Sequence, residues 1–130
     1  MKTLKIATGA LLMMCSMAHA GETFYSKSYD KCMDASEGVT SKMIDCIQDE
    51  HTKQDKRLNA AYKQLGSQVS PEQKKQLLTA QRLWIKYRDA NCSFYYDPDG
   101  GSLARINSVG CDLEMTVQRA NELEKLVQSY

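Results

Sequence analysis

Apolar positions recur at helical spacing through most of this chain, and the period-two alternation of strands is nearly absent. Ile47, His51, Asp55, Leu58, Tyr62 and Leu65 step by four and three, so they share one face and predict a helix over residues 41–65, stopped by Gly66. A shorter helical turn around residues 29–35 precedes it and carries Cys32. Ser70 followed by Pro71 and Gln73 combines an N-cap, a proline at the first helical position and a capping box. Leu77, Ala80, Trp84, Tyr87 and Asn91 continue from there as the second stripe, with Gln81, Arg88 and Cys92 along its edge. That helix fades near Tyr95, ahead of the turn chemistry in Asp97-Pro98-Asp99-Gly100-Gly101. The last helix is expected to start near Asp112 as N-cap, with Glu114 in its first turn, and to bury Leu113, Val117, Ala120, Leu123 and Val127. Residues 102–109 have room for one further turn. The pattern predicts an all-α fold. Three long helices and a short N-terminal one form a small antiparallel bundle.

The first 20 residues break this pattern. Lys2 and Lys5 precede a mostly apolar run from Ile6 to Met17, and Ala18-His19-Ala20 supplies small residues at a cleavage site. The expectation is a secretory signal peptide over 1–20 and a single domain over 21–130. The apolar run is shorter than the roughly 20 residues of a membrane span. Leu12-Met13-Met14-Cys15 superficially resembles a lipoprotein box, but the residue before a lipidated cysteine is normally small, and Met14 is not. Loss of Lys2 and Lys5 turns the formal charge from +1 to −1. That balance speaks against nucleic acid, whose binders concentrate positive charge, and gives no support for membrane-surface binding.

Cleavage also removes Cys15, leaving Cys32, Cys46, Cys92 and Cys111. An even set in an exported chain reads as two disulfides formed in an oxidising, periplasmic or secreted setting. Four cysteines allow three connectivities. Cys32–Cys46 with Cys92–Cys111 is favoured because each closes a short loop at a helix end, and the crossed pairings stay open.

Catalytic chemistry is poorly supplied, so the chain is not expected to be an enzyme. His51 is the one histidine left after cleavage, with Asp55 a helical turn away. The pair would have to serve as base and orienter, yet no nucleophile signature accompanies it, and a His–Asp pair beside the core is the plainer reading. Two such ligands are too few for structural zinc. Asp97-Pro98-Asp99 opens like a calcium loop, but Ser102 stands where that loop needs glycine and Ser108 where it needs glutamate. No metal or cofactor is expected. Asp55, Arg88 and Arg119 lie beside apolar stripes on three helices, and a charge at a core edge must be paired. The expectation is a structural ion pair from Asp55 to Arg88 or Arg119.

The ordered set Asp55, Leu58-Asn59, Tyr62, Gln81, Trp84, Tyr87-Arg88-Asp89 and Cys92, followed by Gly100-Gly101-Ser102, Cys111, Thr116, Arg119 and Leu123, resembles the N-terminal domain of LprI-type lysozyme inhibitors. Cys32, Thr40 and Cys46 fit upstream, so the resemblance runs from Cys32 to about Leu126. It implies a helical, disulfide-containing protein of the bacterial cell envelope. Its partner would be a lysozyme or another cell-wall hydrolase. The matching residues read mostly as structural. Two other functions compete: an immunity protein against a rival bacterium's toxin, and a small-ligand or enzymatic protein using the His51–Asp55 face. The near-neutral mature charge weakens lysozyme as target, since lysozymes are commonly basic. If a lysozyme is bound, the segment between Cys92 and Cys111 is the expected contact. Tyr95 and Tyr96 offer stiff amphipathic surface, and Arg105 a charge-assisted bond to a carboxylate.

Overall fold

A computed structural model describes residues 25–130; the expected signal peptide lies outside the described residues. Four helices follow one another: α1 Lys27–Ala35, α2 Thr40–Gln68, α3 Pro71–Phe94 and α4 Gly101–Ser129. No strand occurs among the described residues, and none of these helices is long and apolar enough to cross a membrane.

Two helix limits differ from the sequence reading. Gly66 does not end α2, which runs on to Gln68, and the backbone N–H of Val69 closes it on the Leu65 carbonyl. A glycine costs a helix interior only about 1 kcal/mol, which packing of the preceding turns offsets. Asp112 is not an N-cap, because α4 begins eleven residues earlier at Gly101. The start is set by a tight turn instead. The N–H of Gly100 meets the Asp97 carbonyl at 3.0 Å, and Asp97 Oδ1 accepts from the Asp99 N–H. Pro98 occupies the position whose φ the ring fixes. A Cβ on Gly100 would stand 2.7 Å from the Cβ of Ala104, and Gly101 has φ +63°, so both glycines are required. The capping box of Ser70 and Gln73 forms as its sequence predicts.

The bundle is organised on α2 and α4, which are not consecutive and run parallel. Ile47 packs with Leu113 and Val117 near one end. Leu58, Ala61 and Leu65 pack with Ala120 and Leu123 near the other. Leu58, Leu113, Val117, Ala120 and Leu123 are almost wholly buried, and Leu77, Trp84 and Val127 close over the second cluster. Between the clusters lies a polar layer. Glu50 is fully buried, and its carboxylate accepts from the Ser26 N–H at 2.8 Å, the Ser26 hydroxyl and the Gln54 amide at 2.7 Å. Gln54 accepts in turn from Arg57, whose guanidinium spans to Glu124 and Asn121 on α4.

The buried stripe of α2 is therefore Ile47, Glu50, Gln54, Leu58, Ala61 and Leu65, with His51, Asp55 and Tyr62 at its margin. Helix α3 is rotated likewise. Gln81 and Cys92 are its buried residues, while Ala80 and Tyr87 face out.

Both disulfides take the favoured pairing. Cys32–Cys46 ties α1 to α2, and Cys92–Cys111 ties α3 to α4, with Cα atoms 5.7 and 5.4 Å apart. Each closes a loop of a length worth about 3 kcal/mol in the chain-entropy picture.

Burial alone would raise the pKa of Glu50. The bonds from the Ser26 hydroxyl, the Gln54 amide and the Ser26 N–H, with Lys53 nearby, outweigh it and hold the carboxyl below its ordinary value. A depressed carboxyl stabilises the fold above its unfolded pKa and loses that contribution as pH falls through the folded one. The midpoint of thermal unfolding should therefore drop as pH falls below about 4. Glu50→Ala strands three donors, the Gln54 amide buried and two on partly buried Ser26, and should cost about 3 kcal/mol at pH 7 by urea unfolding. An unchanged urea midpoint would refute the role given to this network.

Candidate functional site

Position 51 does not have the makings of a catalytic centre. His51 Nε2 lies 3.2 Å from the Thr116 hydroxyl. That hydroxyl donates its one proton to the Asp112 carbonyl at 2.7 Å, so Nε2 must be the donor to Thr116. Thr116 is fully buried, which keeps a substrate from its oxygen. Asp55 does not orient His51; it accepts from the Asn59 amide at 2.9 Å on its own helix. Among the described residues, no group of three His, Cys, Asp or Glu side chains is placed to hold a metal.

The expected pair from Asp55 to Arg88 or Arg119 is also corrected. The two arginines fasten α3 to α4 without it. Arg88 donates to Asp89 at 2.8 Å, approaches Asp112 at 3.7 Å and Thr116 at 3.4 Å, and lies 5.1 Å from the centre of the Trp84 ring. Arg119 donates to Gln81 on α3 at 3.0 Å and to Glu122 at 2.7 Å. Asp55 is half-buried on α2 and bonds within its own helix. Burial raises the carboxyl of Asp112 above its ordinary value; Arg88 and His51 oppose that, while Asp89 adds to it.

The segment between Cys92 and Cys111 is mostly helical rather than a loop. Tyr95 caps the end of α3, Tyr96 enters the turn, and Arg105 stands on the second turn of α4. All three are exposed, and the tyrosines are not folded back on the bundle. Phe94 is 85% exposed and meets the Tyr95 ring edge-on at 5.8 Å. Leu83 and Tyr87 are more than 60% exposed and lie on the same face of α3 as Phe94. Together they form an exposed apolar row along α3, a candidate interaction surface.

This row runs into a groove of about 790 Å³ between α1 and the ends of α3 and α4. Tyr25 and Tyr29 line one side, Tyr87 and Tyr95 the other, over a floor that includes Leu113 and Met115. The sequence pattern did not reveal this groove. Its signal was the tyrosines at 25, 29, 87 and 95, which only the fold brings to one place.

With this geometry in hand, comparison with known proteins is decisive at the level of family. Residues 32–123 match the family described as lysozyme inhibitor LprI. The chain belongs to that family. An uncharacterised protein of Rhizobium meliloti is 41% identical over 54 residues, which is 41% of this chain and 39% of that protein. The chain thus matches well under half the length of this relative. No solved structure matches. Of the residues that carry the resemblance, Gln81, Trp84, Arg88, Cys92, Cys111, Thr116 and Arg119 all meet where α3 joins α4.

Arg88→Ala should destabilise the protein by about 2–3 kcal/mol, since it removes charge-assisted bonds and the packing on Trp84. Asp55→Ala should stay within about 0.5 kcal/mol of the parent, as surface changes usually do. Urea unfolding of the two variants checks both, and the reverse ranking would restore Asp55 to the role expected from sequence.

Proposed function

We propose that the chain is an exported, extracytoplasmic inhibitor that blocks a wall-degrading hydrolase, a lysozyme first among them, by protein–protein contact. The family match over residues 32–123 carries this reading. Residues 1–20 serve as its cleaved signal peptide and 21–130 as its single working domain. Two disulfides suit an oxidising compartment.

The contact surface is assigned to the exposed end of α3 and the start of α4. Tyr95 and Tyr96 are about half exposed, on a turn pinned by the Cys92–Cys111 bridge, so little freedom is lost on binding. Arg105, exposed on the second turn of α4, offers a charge-assisted bond to a carboxylate, such as those of a hydrolase cleft.

The test is inhibition of lysozymes of several structural classes by the mature protein and by the triple variant Tyr95→Ala, Tyr96→Ala, Arg105→Ala. Circular dichroism first establishes that the variant keeps its helicity. Truncated anchors cost about 2 kcal/mol or more apiece, so inhibition should weaken well over tenfold. Equal inhibition by the folded variant would move the contact elsewhere. Absence of inhibition by the parent toward every wall hydrolase tried would refute the function.

A further inference from the structure

The groove beside α1 has chemistry that neither the family match nor the α3–α4 turn accounts for. Its side walls are tyrosines, and the rings of Tyr25 and Tyr29 stand 5.0 Å apart at 42°. Its floor is apolar, with Ile47, Leu113 and Met115. Of all the residues lining it, Glu114 alone carries a charge. Glu114 is exposed and accepts from the Gln118 amide at 3.1 Å, with no cation paired to it in any salt bridge of the described residues.

Acidic groups act on the tyrosines of the α1 wall as well. Burial pushes the Tyr25 phenol above its ordinary pKa, and Glu114, Tyr29 and Glu50 push it further. Burial does the same to Tyr29, with Glu50 and Asp30 adding to it. The wall is also held in place before anything binds: Glu50 fixes Ser26 at one end of α1, and the Cys32–Cys46 bridge fixes the other.

We infer that this groove is a docking site for a protein partner and receives a lysine or arginine side chain projecting from it. The aliphatic stem lies against the tyrosine rings, which also attract a cation over their faces, and the charge meets Glu114. The exposed row of Leu83, Tyr87 and Phe94 continues the contact along α3 as the apolar flank of the same interface. A carboxylate, phosphate or anionic lipid finds no cation in the groove lining. The inference rests on the reading of the chain as a hydrolase inhibitor. It gives that reading a basic target, which a near-neutral overall charge would not.

The experiment has two arms on isotope-labelled mature protein. In the first, short acetylated peptides with a central arginine, or a central glutamate, between leucines are titrated and followed by NMR. The arginine peptide should shift Tyr25, Tyr29, Glu114 and Met115, and the glutamate peptide should not. Added salt should weaken the binding, and Glu114→Lys should weaken it more than tenfold. Glu114 is exposed, so that variant should keep the parent's unfolding midpoint. Equal shifts with both peptides would overturn the proposal. So would shifts with a neutral N-acetylglucosamine oligomer in place of the arginine peptide, which assign the groove to a glycan. So would concentration-dependent shifts without peptide, which assign it to a second copy.

The second arm measures inhibition of a basic lysozyme by the parent and by Glu114→Lys. A loss of tenfold or more supports the groove. Undiminished inhibition by Glu114→Lys overturns the groove and leaves the inhibitor reading standing. A parent that inhibits nothing overturns the inhibitor reading, and the peptide arm still decides the groove on its own.

Discussion

Everything in this bundle hangs on how a carboxylate is kept inside it. Glu50 lies between two apolar clusters on the α2–α4 seam, with no exposed surface. An uncompensated charge there would be prohibitive. Three hydrogen bonds satisfy it, two from Ser26 and one from Gln54. The bonds from Ser26 reach across 24 residues and so dictate where α1 begins. The bond from Gln54 hands the network to Arg57, which reaches α4 through Glu124 and Asn121. One buried acid thus sets the register of three helices. A hydrophobic residue of the same size would fill the space without saying where Ser26 belongs.

The same network explains which parts of the fold the sequence disclosed. The stripe of α4 was legible because Leu113, Val117, Ala120 and Leu123 are apolar and at core spacing. The α2 stripe was read one residue off, through His51 and Asp55, because the true one passes through Glu50 and Gln54. A pattern of apolar positions skips polar residues by construction, and here two of them hold the middle of the seam. The sequence did mark Gln81 and Arg88 at the edge of α3, yet it centred the stripe on Ala80 and Tyr87. The reason is the same: the α3–α4 seam is made of Gln81–Arg119, Arg88–Thr116 and a disulfide more than of apolar contact.

Local chemistry proved the more readable layer. The capping box at Ser70, the proline turn before α4 and the number of disulfides depend on neighbours within a few residues or on simple parity. The start of α4 at Gly101 was missed because a good N-cap at Asp112 competed with it. Asp112 instead lies inside the helix, where Arg88 and His51 offset only part of the effect of its burial. The candidate site was half legible. Tyr95, Tyr96 and Arg105 are exposed as a contact surface requires, while the groove depends on Tyr25 and Tyr29 meeting Tyr87 and Tyr95 across about sixty residues of chain.

A division of labour between scaffold and surface follows from these placements. Seven of the residues that carry the family resemblance, Gln81, Trp84, Arg88, Cys92, Cys111, Thr116 and Arg119, converge on the α3–α4 seam, where they bind one another. A side chain engaged in that way has nothing left to offer a partner. The residues free to meet one are the outward row of α3, the tyrosines and Glu114, most of which lie outside the resembling set. Tyr87 is the exception: it sits between Trp84 and Arg88 in sequence, but it is 62% exposed while its neighbours hold the seam. Side chains of the groove and of the outer face of α3 can therefore change with the seam left untouched. The polar seam suits this arrangement. It holds α3 to α4 by a bridge, the Arg88–Asp112 pair and the Arg119–Gln81 bond, and so leaves Leu83, Tyr87 and Phe94 for the outside.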